Sequence, residues 1–145
     1  MNHRIGVLGL HHDHVWGNLE ELQRTGRAEL VGAADPYGEL REKYQGQFPG
    51  AVYDRYEDLL EKEDLTAVYI FADNKASEDL AVAAARRGLH CLVEKPMAAT
   101  LQGAKEMLSA SLDNNVRLII NWPFAWWPQL RHAIKVAGSG EIGQL

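Results

Sequence analysis

Cysteine is almost absent: the 145-residue chain holds one, Cys91, which excludes an internal disulfide and fits a reducing compartment. Basic residues are short as well, 15 Lys and Arg against 20 Asp and Glu. The net charge of −5 argues against a nucleic-acid partner, because neutralising phosphates calls for a basic face. Long hydrophobic runs are missing; none approaches the roughly 18–20 apolar residues of a membrane span. The opening Met-Asn-His-Arg leads into a short strand-like run and lacks the h-region of a signal peptide. These absences predict a cytoplasmic chain with no membrane partner. Repeats, low-complexity tracts and long linkers are absent too. What remains is 46% hydrophobic and 24% charged, the make-up of one globular domain able to bury a core.

Strand and helix signals alternate along the chain. Ile5, Val7 and Leu8 form a strand that enters Gly9; Val15, Leu19 and Leu22 then recur at helical spacing before a glycine stop at Gly26. Residues 28–34 form a second strand ending on Asp35-Pro36, and Tyr37, Leu40 and Tyr44 mark a short helix. A brief strand at 50–53 precedes a helical turn that Asp54 is expected to cap. The apolar run 67–71 reads as a strand covered on both faces, followed by an alanine-rich helix expected to start at Ser77. Residues 90–94 form the next strand. Thr100 caps a helix whose apolar face is expected to be Leu101, Ala104, Leu108 and Leu112. A last strand at 116–120 leads to an aromatic, proline-broken loop at 121–128. The final helix carries the stripe Leu130, Ala133, Ile134 and Ala137. Such alternation predicts an α/β fold: a doubly wound, Rossmann-type parallel sheet of order 3-2-1-4-5-6, with its ligand crevice at the strands' carboxyl ends.

Three stretches at those ends carry chemistry. Gly9-Leu10-His11-His12-Asp13-His14 lies where a phosphate cradle joins a strand to a helix N-terminus, with only the first glycine of G-x-G-x-x-G present. Imidazole N–H groups of His11, His12 and His14 can donate to phosphate oxygens in place of glycine N–H groups. The bland alternative is that Asp13 caps the helix and the histidines are solvated. Asp35 ends the second strand, where a carboxylate can accept ribose hydroxyls or simply turn the chain; its charge would disfavour a 2′-phosphate, so NAD is expected over NADP. Glu94-Lys95-Pro96 leaves a central strand, with a proline whose peptide bond can be cis and a lysine able to meet a substrate oxygen. Beyond the last strand, Trp122 and Trp126 are candidates for stacking near a substrate. Packing is expected for at least one of Trp122, Trp126 and Trp127.

Taken together, the chain resembles the Gfo/Idh/MocA family of glucose-fructose oxidoreductase and inositol dehydrogenase relatives. The resemblance runs through Ile-Gly-Val-Leu-Gly at 5–9, Leu-Val-Gly-Ala-Ala-Asp-Pro at 30–36 and Ala-Val-Tyr-Ile-Phe-Ala-Asp-Asn at 67–74. Cys-Leu-Val-Glu-Lys-Pro-Met-Ala at 91–98 is its most specific signature, and Ser-Gly-Glu-Ile-Gly at 139–143 resembles the family's exit from the nucleotide domain. The resemblance implies an NAD(P)-dependent oxidoreductase acting on hydroxyl groups of a sugar, polyol or similar molecule. It places Gly9, Asp35, Asn74 and Glu94 around the cofactor, with Leu10 in the same loop, and Lys95 beside nicotinamide and substrate as the catalytic residue. The chain departs from the family at His11 and His14 (glycines elsewhere), at Ala72-Asp73, at Ser77 and at Ala125.

The implied organisation is a dinucleotide-binding domain over residues 1–121 and a segment, 122–145, leading to a substrate domain that would begin at Gln144-Leu145. On this reading the chain is truncated and inactive alone. A small-molecule substrate would need the missing domain, and a full-length protein is free to oligomerise. Two alternatives stand beside it: a dinucleotide sensor without catalysis, and a metal-dependent hydrolase using His12 and His14. No metal is expected, since those two imidazoles need further ligands and His3, His90 and His132 sit at strand starts or on a helix. Nor can 145 residues form an eightfold barrel.

Overall fold

The structure, a computed structural model, describes residues 3–143. Its strands are β1 (His3–Leu8), β2 (Ala28–Ala34), β3 (Ala51–Tyr53), β4 (Ala67–Ile70), β5 (His90–Glu94) and β6 (Leu118–Asn121). They pair in parallel in the order β3-β2-β1-β4-β5-β6, the order expected from the alternation. Neighbouring strand residues point to opposite faces, so Val7 and Leu30 enter one core while Leu8 and Val31 enter the other. Helices α1 (His14–Thr25) and α2 (Gly38–Gln45) close the first core with Val15, Leu19 and Tyr44. Helices α3 (Tyr56–Lys62), α4 (Asn74–Arg86) and α5 (Leu101–Asp113) close the second with Leu59, Leu80, Ala84 and Met107. Cys91 lies in that second core, where burial pushes its thiol up to about 12. No helix among the described residues is long and apolar enough to cross a membrane.

Several local expectations change. Helix α4 begins at Asn74 rather than Ser77, because the Asp73 carboxylate accepts from the backbone N–H groups of Lys75 and Ala76 and nucleates the helix a turn early. Asp54 does not cap α3; Arg55 holds that position and no side chain bonds there. Residues 121–128 are not all loop. Asn121 completes β6 opposite Glu94, and residues 123–126 form one helical turn, α6 (Pro123–Trp126), with proline in its first turn.

The apolar face assigned to α5 is the wrong one. Leu101, Leu108 and Leu112 are exposed, and the buried face is Gly103, Met107, Ala110 and Ser111. Close approach to the alanine-rich α4 selects small residues, and the buried Glu78 carboxylate occupies the space above Gly103. The stripe on the last helix, α7 (Pro128–Ser139), is likewise uncovered; none of its residues is buried among those described. Packing was expected for at least one of Trp122, Trp126 and Trp127. Each is at least half exposed, and the aromatic contact in this segment is an edge-on one between Phe124 and Trp127, 4.7 Å apart. Gln144-Leu145, the expected start of a further domain, lies outside the described residues.

Candidate functional site

Parallel pairing brings the carboxyl ends of β1, β2, β4, β5 and β6 to one edge of the sheet, where the expected site residues meet. Gly9 leaves β1 at φ +86° and donates its N–H to the Ala34 carbonyl at 2.8 Å. A Cβ there would collide with the backbone of Phe71 and Ala72, so the turn admits glycine alone. The next N–H, of Leu10, donates to Asp35 Oδ2 at 2.7 Å, and the Tyr37 N–H donates to Asp35 Oδ1 at 2.8 Å. Asp35 is 1% exposed, so its carboxylate is first of all the clamp that ties the β1–α1 loop to the end of β2. Asp13 stands at the α1 N-cap but makes no capping hydrogen bond; the His14 N–H is taken instead by His12 Nδ1 at 3.2 Å.

The imidazoles divide. His11 is exposed and its ring lies 6.1 Å from that of Tyr37, beside a hollow of about 490 Å³ lined by His11, Tyr37, Gly38, Glu39 and Leu40. His12 and His14 turn the other way, toward the end of β5. His14 Nδ1 meets Glu94 Oε1 at 3.1 Å, and Lys95 Nζ lies 3.5 Å from His12 Nε2. Glu94 is buried, and the Asn121 amide donates to its second oxygen at 2.7 Å. Burial draws His12 below its ordinary pKa; Glu94 opposes the shift, and His14 and Lys95 reinforce it. The ligand atoms of His12, His14 and Glu94 all fall within 4.8 Å of one another.

A cleft of about 520 Å³ opens beside this cluster, lined by Asp13, His14, Gly17, Asn18, Asn121, Pro123, Trp126 and Trp127. Trp126 therefore shares a wall with His14, whereas Trp122 does not line the cleft. Asn74 is exposed at the first residue of α4, and the Lys95–Pro96 bond is cis. The residue that sequence reading missed is Asn121, assigned to a loop one position too early. Asn121 ends the edge strand β6, and the signal that could have found it is the one that singled out Glu94, a polar side chain closing an apolar strand run.

The chain is similar in sequence to enzymes that act on sugars and polyols. It is 27% identical over 143 residues to dTDP-3,4-didehydro-2,6-dideoxy-alpha-D-glucose 3-reductase of Actinomadura kijaniata, covering 98% of this chain and 43% of that one. It is 33% identical over 148 residues to inositol 2-dehydrogenase of Serratia proteamaculans, covering 99% and 44%. Its fold matches a 3-ketoreductase from Actinomadura kijaniata in complex with TDP-benzene and NADP. The TM-score is 0.87 at 26% identity, over 99% of this chain and 45% of that one. The chain thus spans less than half the length of these curated relatives. A family model described as an oxidoreductase family with an NAD-binding Rossmann fold matches residues 4–122, and the chain belongs to that Gfo/Idh/MocA family.

Proposed function

We propose that residues 1–121 bind the dinucleotide of an oxidoreductase that moves hydride between a nicotinamide and a hydroxyl-bearing carbon of a sugar, polyol or similar molecule. Residues 122–145 lead toward the part that selects the substrate, and the chain alone binds without turnover. The observation that carries this reading is the pair of recesses flanking the β1–α1 loop, one lined by His11 and Tyr37, the other by His14 and Asn121, the two residues bonded to Glu94. A dinucleotide laid across the loop puts its adenosine in the first and its nicotinamide toward the second. The diphosphate then passes over Gly9 and Leu10, with the His11 imidazole as an added donor.

At the other end, Asn74, His12, His14 and Glu94 surround the nicotinamide. Lys95 is the catalytic residue, orienting the substrate oxygen and exchanging its proton. Trp126, and Trp122 at the strand exit, bound the substrate side. NAD is favoured over NADP because Asp35 stands at the end of β2, where a 2′-phosphate would come and a carboxylate disfavours it. The relatives' names, a sugar 3-reductase and an inositol dehydrogenase, support the substrate class. Titrating NADH and NADPH against tryptophan fluorescence tests the reading. NADH should quench saturably and more tightly than NADPH, and Asp35→Ala should weaken NADH; equal quenching by both removes the NAD preference, and no saturable quenching by either removes the cofactor assignment.

A further inference from the structure

We propose that His12, His14 and Glu94 form a binding site for a divalent transition metal of the Zn²⁺ class. Two imidazoles and a carboxylate are a ligand set that Zn²⁺ takes when one coordination position stays open. The sheet assembles them: Glu94 ends β5, the imidazoles sit at the start of α1, and their ligand atoms lie within 4.8 Å of one another. One edge of a coordination tetrahedron is already set. Bonds of about 2.0–2.1 Å give ligand–ligand edges of about 3.3 Å, and His14 Nδ1 lies 3.1 Å from Glu94 Oε1. Glu94 is also oriented as a ligand should be, because Asn121 holds Oε2 and leaves Oε1 turned to the imidazoles.

His12 is the member that must move. Its Nδ1 faces the His14 N–H at 3.2 Å and its Nε2 faces Lys95 Nζ at 3.5 Å. A neutral imidazole has one acceptor nitrogen, so it cannot accept from both donors. The metal takes that lone pair in exchange for one long contact, and the Lys95 ammonium swings away; at His14 it replaces the Nδ1–Oε1 hydrogen bond, with the neutral ring's proton carried on Nε2. The cleft lined by His14, Asn121 and Trp126 adjoins the three ligands, and water or another oxygen ligand from it would complete the shell. This assignment does not depend on a dinucleotide occupying the loop.

The test titrates the metal-free chain, without nucleotide, with Zn²⁺ by calorimetry and with Co²⁺ by visible absorption. One equivalent should bind, with the intense d–d bands of a four-coordinate Co²⁺ site. His14→Ala, whose side chain is 42% exposed, should weaken binding at least about tenfold without unfolding the chain, as should Asn121→Ala through Glu94. His132→Ala, on α7, should change nothing. The proposal is overturned if no equivalent binds, if His14→Ala binds as the parent does, or if His132→Ala abolishes binding. NADH quenching is read separately, so loss of either result leaves the other standing.

Discussion

At the scale of single residues, the loop depends on Gly9 and Asp35, which hold it from two sides. Gly9 combines a left-handed backbone with contact against the backbone of β4's exit, so Gly9→Ala meets strain and collision together. It should lower stability by about 2–4 kcal/mol in urea unfolding. Asp35→Ala strips the buried Leu10 N–H of its acceptor. That should cost about 1–3 kcal/mol, besides weakening NADH. Asp35, Glu94 and Lys95 were legible from sequence because a polar residue ending a buried strand has few reasons to be there. The Asp35 clamp was not legible, since it depends on two backbone N–H groups aimed at one carboxylate. Nor was the third partner of His12 and His14, which lies 80 residues further along the chain.

Among the elements, the α4–α5 contact shows where periodicity misleads. Counting apolar residues selects Leu101, Leu108 and Leu112, whereas the fold buries the stripe of Gly103, Met107 and Ala110. Met107→Ala should therefore cost about 2–5 kcal/mol, and Leu112→Ala within about 0.5 kcal/mol; equal losses would return the apolar face to the leucines. Burial pushes the Glu78 carboxyl up, but the N–H and hydroxyl of Thr100, the Ala99 N–H and Lys75 bring it net below its ordinary 4.5. A carboxyl depressed on folding contributes stability that is full above its unfolded pKa and lost as pH falls through the folded value. The urea midpoint of the parent chain should accordingly fall more steeply below about pH 4.5 than that of Glu78→Gln, and parallel curves would contradict the pairing. The caps followed the same division. Thr100 was found because its hydroxyl bonds the Gly103 N–H in the expected local pattern, while Asp73 was hidden by the later apolar spacing.

For the whole molecule, strand order and parallel pairing were legible because short crossovers between buried parallel strands leave few topologies. The surface of residues 122–143 was not, because an amphipathic stripe reads the same whether or not something covers it. Here Trp122, Trp126, Trp127, Leu130 and Ile134 stand exposed. If a dinucleotide lies across the β1–α1 loop, the backbone amide resonances there should follow an NADH titration. Saturable shifts are expected at Gly9, Leu10, His11, Tyr37, Asn74 and Glu94, with the exposed face of α5 unmoved. Shifts confined to α5 and β6, or none at millimolar NADH and NADPH, would contradict that placement.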